Sequence, residues 1–398
     1  MLQQKAHSFH VIKEIMCKNL FYTINIIFIV LIINTIGCSN DPEGPQNSDH
    51  FEGLSEVITI DNQTNINKGY PIIPAVSHAT SDLNNNIYVA DPQYQTLHSF
   101  SENMKFRWTV GRRGTGPGEY NRITSLFTTN NFLYVVDGPA AIVNTYLLTT
   151  GEHIDGISLG EAGHIIQTIN QNESNEYVTT GFNADDQTVV NIYSENFSER
   201  IDQLVPVASI EFSDNQNITM QFVRNFPGNA FPIGDSLIVY TTQNYNGNLS
   251  LYKHSKNSGW SLNSTIEGYK IIEESYLIQF TDNGDNKRSH LSGFNPDGGY
   301  FHLEFKSISF GLFPQTENSF VHVSAKLTPE DTWDLIIESF DQSNLSLTRH
   351  LIIKEFIKDI KPQKLPVWMS SRGELFITEN SDTPLRIYQI PSYIGMTD

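Results

Sequence analysis

A chain of 398 residues, 39% hydrophobic and only 17% charged, holds enough apolar material for a sizeable core, which excludes a disordered protein. Its formal charge of −19 argues against nucleic acid as a partner, because an acidic surface repels a phosphate backbone. Length alone leaves one large repeat-built domain and two ordinary ones equally open, so periodicity has to decide.

From the N-terminus, residues 20–36 form an almost unbroken apolar run, preceded by basic residues and followed by Gly37 and Cys38. That layout predicts a secretory signal over residues 1–37. Met16 begins a more compact version of the same signal, so translation is expected to start at Met1 or at Met16. The junction Thr35-Ile36-Gly37-Cys38 resembles the bacterial lipobox, which implies that Cys38 is lipidated; Thr35 stands where leucine is usual. The competing reading is a plain transmembrane anchor, since the run is nearly long enough to span a bilayer. The other cysteine, Cys17, falls inside the signal, so a mature chain starting at Cys38 has no thiol for a disulfide, a nucleophile or a metal site.

Residues 38–52 are polar, acidic and contain Pro and Gly, the composition of a flexible tether. Acidic residues soon after the cysteine also resemble the surface-export signals of some Bacteroidetes lipoproteins. Lys5, Lys13 and Lys18 outnumber Glu14 by two, so the rest of the chain carries −21. The expected location is the cell envelope, lipid-anchored to the outer membrane on its periplasmic or surface face.

Residues 53–392 are rich in Asn, Ser, Thr, Phe and Tyr and read as all-β. They also repeat. Tyr88, Asp91, Leu97 and Phe100 recur without a gap at Tyr134, Asp137, Val143 and Tyr146, and again at Phe376, Glu379, Leu385 and Tyr388. Looser copies place Val190 with Tyr193, Leu249 with Tyr252, and Ile337 with Phe340. Apolar residues three apart point to opposite faces of a strand, as needed when a sheet is covered on both sides. Units of this length, each buried on both faces, predict a six-bladed β-propeller.

Inner strands are expected to start near Val76, Ile123, Ile165, Met220, Phe305 and Val367. Leu291 and Phe294 offer an anchor for a seventh blade, but SHLSGFNPDGGY is dense in Gly, Pro and Asn, which favours an excursion. The last copy stops at Ile390 after its third strand, so Val57 to Ile66 is expected to supply the fourth and close the ring. Residues 393–398 are left as a tail.

The first blade opens AVSHATSDLNNNIYVAD, which resembles the NHL type of repeat. The segment GRRGTGPGEYNRI (Gly111 to Ile123) looks like the link found in six-bladed propeller lipoproteins of Bacteroidetes. That resemblance implies a fold and an envelope location; it implies little about activity, since propellers host binding modules, lyases, lactonases and sugar hydrolases alike.

Within the link, Gly114, Gly116 and Gly118 are not followed by a helix, so a sharp inter-blade turn explains them better than a phosphate loop. Arg112 and Arg113 are adjacent cations in an acidic chain and are candidates for meeting a carboxylated sugar or an acidic partner at the channel mouth. His78, His164 and His302 lie on or beside predicted inner strands; their convergence would resemble propeller lyases that hold a zinc ion with histidines from separate blades. No local ligand spacing supports that set, and packed or solvated histidines are the alternative. Asp91, Asp137 and Glu379 recur at one blade position, which points to a structural hydrogen bond. No catalytic residue set is recognisable.

These readings lead to a monomeric binding or interaction module, tethered to the membrane by lipid, for a glycan, a peptide or another envelope protein, with no cofactor. The competing readings are a hydrolase or lyase with a channel site, with or without a divalent metal, and a purely structural envelope component.

Overall fold

The computed structural model describes residues 55–389, apart from 130, 160–164, 184–185, 196, 211–212, 271, 273, 284–288, 290, 295–297, 317, 358–366, 370–373 and 379–384. The expected signal, Cys38, the tether, Glu379 and the tail lie outside the described residues.

Strand β1 (Ser55–Ile60) leads into helix α1 (Asn62–Lys68). Blade 1 follows as β2 (His78–Ser81), β3 (Ile87–Asp91), β4 (Thr96–Phe100) and β5 (Phe106–Val110). Blade 2 is β6 (Ile123–Thr128), β7 (Phe132–Asp137), β8 (Ile142–Leu147) and β9 (His153–Ser158). Blade 3 is β10 (Ile165–Gln171), β11 (Tyr177–Asn183), β12 (Thr188–Tyr193) and β13 (Arg200–Pro206). Helix α2 (Gln216–Asn225) precedes blade 4, made of β14 (Asn229–Ile233), β15 (Leu237–Thr241), β16 (Asn248–Ser255) and β17 (Gly259–Glu267). Strands β18 (Tyr276–Thr281), β19 (Leu291–Phe294) and β20 (Tyr300–Phe305) form a separate three-stranded sheet. Blade 5 is β21 (Ser307–Thr316), β22 (Ser319–Leu327), β23 (Trp333–Asp341) and β24 (Leu347–Ile357). Blade 6 combines β25 (Val367–Met369), β26 (Glu374–Ile377) and β27 (Leu385–Gln389) with β1.

All pairings within these sheets are antiparallel, and the inner strands β2, β6, β10, β14, β21 and β25 adjoin in that order, with β25 returning to β2. The chain is therefore an all-β propeller of six four-stranded blades. Its N-terminal strand pairs with the C-terminal strands: Ile58 faces Ile387 and Ile60 faces Leu385. This is the predicted closure, and Tyr88, Tyr134 and Phe376 occupy the second strand of blades 1, 2 and 6 as the repeat requires.

Burial explains why the repeat was visible. Every residue of β3, β11 and β12 is buried, whereas the outermost strands β9 and β17 are largely exposed. The apolar pairs three apart lie on the third strand of each blade counted outward from the channel, and the pairs from Leu97 with Phe100 to Leu385 with Tyr388 are all buried. An odd spacing on a strand sends one member to each face, so each pair is gripped by the blades on either side.

Several boundaries differ from expectation. Blade 1 begins at His78, two residues after Val76. Met220 is not on an inner strand but in α2: Asn215 caps the helix by accepting hydrogen bonds from Asn217 N and Ile218 N, and Ile218, Thr219, Phe222 and Val223 are buried at helical spacing. Blade 4 starts instead at Asn229. Phe305 ends β20, and the inner strand of blade 5 starts at Ser307. The closing strand stops at Ile60 because Asp61 caps α1, accepting from Gln63 N and Thr64 N at 3.0 Å each, which leaves Ile66 on an exposed helix face.

Leu291 and Phe294 form a strand, yet not a blade. Their sheet packs through Phe301, Leu303 and Phe305 against α2, with the Phe226 and Phe305 rings 5.1 Å apart. Gly293 permits this approach: a Cβ there would lie 2.2 Å from the Gln221 side chain and 2.4 Å from the Phe301 ring.

Ile60 is 1% exposed and Ile66 is 51% exposed. Ile60→Ala is therefore expected to cost about 2–4 kcal/mol, and Ile66→Ala no more than about 0.5 kcal/mol, measured by urea unfolding. Equal losses would contradict a closing strand that ends at Ile60.

Candidate functional site

The six inner strands enclose a central cavity of about 1160 Å³ lined by residues from all of them. Its aromatic walls include Phe127, Phe231, Phe310 and Trp368, and its polar groups are mainly hydroxyls and amides such as Thr80, Ser125, Gln167, Asn229 and Gln243. Among the described lining residues, Arg122 and Glu195 carry the formal charges. The channel of an acidic protein is thus close to neutral, with one cation.

His78, the first residue of β2, is half-buried in the channel wall. Its ring centroid lies 5.4 Å from that of Trp368, and its Nδ1 is 3.2 Å from Ser77 Oγ. Burial first, and the charge of Arg122 second, push its pKa down to about 4, so the imidazole is neutral at neutral pH.

The other predicted histidines do not join it. His302 is buried on β20, where its Nδ1 is 2.9 Å from Ser292 Oγ and its Nε2 is 3.2 Å from Thr281 Oγ1 and 3.1 Å from the Asn283 carbonyl. It belongs to the three-stranded sheet and is not a lining residue of the channel. His164 lies outside the described residues. Among the described residues, no group of three or more His, Cys, Asp or Glu side chains is placed to hold a metal ion.

Arg112 and Arg113 sit on the link between blades 1 and 2, away from the channel lining. Arg112 Nε donates to Glu119 Oε1 at 2.6 Å, and Glu119 Oε2 accepts from Gly116 N at 2.9 Å. The link is pinned by Tyr120, fully buried, whose hydroxyl bonds the Tyr146 hydroxyl at 2.6 Å and whose ring packs against Gly111 at φ +83. The glycines serve the turn. Asp91 and Asp137 likewise bond backbone: Gln93 N donates to Asp91 at 2.7 Å, and Asn121 N to Asp137 at 2.7 Å.

Two features escaped the sequence. Arg122 and Trp368 each adjoin a predicted inner-strand start, Ile123 or Val367, and following the alternation of side chains into the channel would have singled them out. The second is a line across three strands of blade 5. Ser309 Oγ is 2.9 Å from His322 Nε2, and His322 Nδ1 is 2.9 Å from Glu338 Oε2. Glu338 also accepts from the Tyr245 hydroxyl at 2.9 Å and from Tyr269 N at 2.5 Å.

The order of groups matches a hydrolytic triad, but Ser309 and His322 are fully buried, Glu338 is 1% exposed, and the Tyr245 ring covers His322 at 4.2 Å. The network ties blade 4 to blade 5. Burial pushes the Glu338 carboxyl up, but bonding to His322, Tyr269 and Tyr245 holds it below its ordinary value.

A family model described as a 6-bladed beta-propeller, DUF5128, matches residues 76–227. That span covers blades 1 to 3 and α2. Among solved structures, a protein of Bacteroides fragilis described as exported shares 14% identity, with 86% of this chain and 98% of that one covered and a TM-score of 0.49. The virginiamycin B lyase of Staphylococcus aureus shares 9% identity over 85% of this chain and 99% of its own, with a TM-score of 0.45. Neither likeness bears on chemistry. No curated protein matches the sequence.

His98 is buried between Thr96 and Thr109, and burial pushes its pKa down to about 4, as for His78. In the unfolded chain both rings take up protons near pH 6.5, so the native state is fully favoured above that pH and loses stability as pH falls toward 4. The urea midpoint is expected to drop between pH 7 and 5, with a smaller drop in His98→Gln. A midpoint that stays flat over this range, or an unchanged drop in the variant, would contradict neutral buried histidines.

Proposed function

We propose that this protein is a lipid-anchored cell-envelope binding module whose propeller channel takes a saccharide. The carrying observation is the make-up of the channel wall, which combines aromatic faces with uncharged amides and hydroxyls and contains only Arg122 and Glu195 as formal charges among its described residues. Sugar rings offer C–H faces that pack on aromatic side chains and hydroxyls that exchange hydrogen bonds with amides. The cavity exceeds the range of about 300–1,000 Å³ usual for small-ligand sites, which suits several linked sugar units. A peptide with charged side chains would leave most of its charges unmatched in such a wall.

The envelope location rests on the apolar run before Cys38 and the lipobox-like residues at 35–38. A rigid ring on a tether holds its channel open to passing ligands at the membrane surface.

The alternative is a hydrolase or lyase acting in the same channel. One feature favours it: the neutral His78 imidazole and the Arg122 cation line the same channel, where they could bind and polarise a bond to be cleaved. The two readings separate in one assay. Oligosaccharides incubated with the protein are expected to be recovered intact; shortened or unsaturated products would favour the enzyme.

Trp368→Ala is expected to weaken oligosaccharide binding at least tenfold, read by titration calorimetry, and to leave the fold intact by circular dichroism. Cys38→Ala is expected to move the protein from the membrane fraction to the soluble fraction of its host. Binding untouched by the loss of Trp368 would argue against a channel site, and membrane retention without Cys38 would argue against the lipid anchor.

A further inference from the structure

Trp368, His78 and Arg122 belong to three consecutive blades. Blade 6 supplies Trp368 from β25, blade 1 supplies His78 from β2, and Arg122 immediately precedes β6 of blade 2. All three line the cavity. The Trp368 and His78 rings are in contact, and Arg122 lines the same cavity within electrostatic reach of His78.

Arg122 is set apart by its place, as the one Lys or Arg among the described lining residues of the channel. Elsewhere in this acidic chain Arg112 pairs with Glu119, Arg200 with Asp186, Lys306 with Glu274 and Lys354 with Asp334. Among the described residues, the guanidinium of Arg122 has no such carboxylate, although its side chain is exposed to the cavity. Asp137, opposite Ile123 in the pairing of β6 with β7, is engaged by the backbone N–H groups of Asn121 and Arg122. A guanidinium presents a flat fork of donors that matches a carboxylate, and such charge-assisted pairs are stronger than neutral hydrogen bonds.

Resting on the saccharide reading above, we infer that this mouth of the channel is an acidic-sugar subsite, with Arg122 binding the carboxylate of a uronic acid unit whose ring face packs on Trp368. His78, uncharged at neutral pH, adds a hydrogen-bonding ring nitrogen and no second positive charge. One cation matches one carboxylate. A doubly charged phosphate would remain half unneutralised in a protein of net charge −19.

The test uses an oligosaccharide that carries a single galacturonate unit and its methyl ester, which share a carbon skeleton and differ by one charge. Titration calorimetry at pH 7 is expected to show the free acid binding at least tenfold more tightly to the full chain. Arg122→Gln should erase that preference while changing the affinity for the ester no more than about twofold, with an unchanged melting temperature. Rising salt should weaken the acid more than the ester.

Equal affinity for acid and ester, or a preference that survives Arg122→Gln, would overturn the acidic subsite and leave the saccharide reading standing, provided Trp368→Ala still weakens both. Failure of both sugars to bind would overturn the subsite together with the reading beneath it.

Discussion

Two-sided burial is the constraint on which the rest of the structure depends. A four-stranded sheet whose second and third strands are apolar on both faces cannot stand alone in water, and stacking copies in a line would leave one greasy face bare at each end. Wrapping the stack into a ring removes the ends. The last joint is made by β1, which completes blade 6 by pairing with β27 and so ties the two halves of the chain together. Antiparallel pairing at that joint also caps the hydrogen-bonding edge that β27 would otherwise present.

The same closure shapes the site. Trp368 comes from the blade that combines β1 with β25, β26 and β27, whereas His78 comes from the first complete blade after α1. Their contact exists because blade 6 is brought against blade 1. Arg122 extends the row into blade 2, so the features that give the channel its chemical character span the seam of the ring. The buried Ser309–His322–Glu338 line does comparable work on the other side, where Tyr245 from blade 4 reaches Glu338 in blade 5. Removing one partner from such a network leaves a buried polar group unmatched, which is among the costlier single changes a core can suffer.

Much of the fold could be read directly from the sequence, and the reason is geometric. Pairs such as Leu97 with Phe100 and Ile337 with Phe340 are conspicuous because a spacing of three on a strand demands apolar groups on both faces. Ile58 opposite Ile387 followed from the missing fourth strand of the last repeat. Reading failed where a segment left the repeat. Met220 looked like a strand residue because Met220, Phe222 and Phe226 are apolar at even spacing, while the burial of Ile218 with Phe222 and Thr219 with Val223 is helical. The excursion at Leu291 and Phe294 was legible from its Gly, Pro and Asn, although the strand it forms was not, and Phe301, Leu303 and Phe305 of the same sheet pack on α2.

The site was less legible than the fold. Arg112 and Arg113 drew attention as adjacent cations, yet Arg112 is held by Glu119 on the link, and among the described residues the cation facing the channel is Arg122, ten residues after Arg112. Single side chains pointing into a channel leave no spacing motif, because their neighbours in space come from other blades. His322 has no local motif for a similar reason: its partners, Ser309 and Glu338, lie on different strands.

Hydrogen–deuterium exchange of the intact chain, read by mass spectrometry, tests the closed ring most directly. If the ring is sealed by the N-terminal strand, amides in Leu385–Gln389 should exchange as slowly as those of β12 and β23, and the amides of Ser55–Ile60 that bond to β27 as slowly as the bonded amides of the other outermost strands, such as β9 and β17. Exchange of residues 55–60 within seconds, while the other blades stay protected, would show that the ends are not joined and would remove the basis for the seam that brings Trp368 to His78.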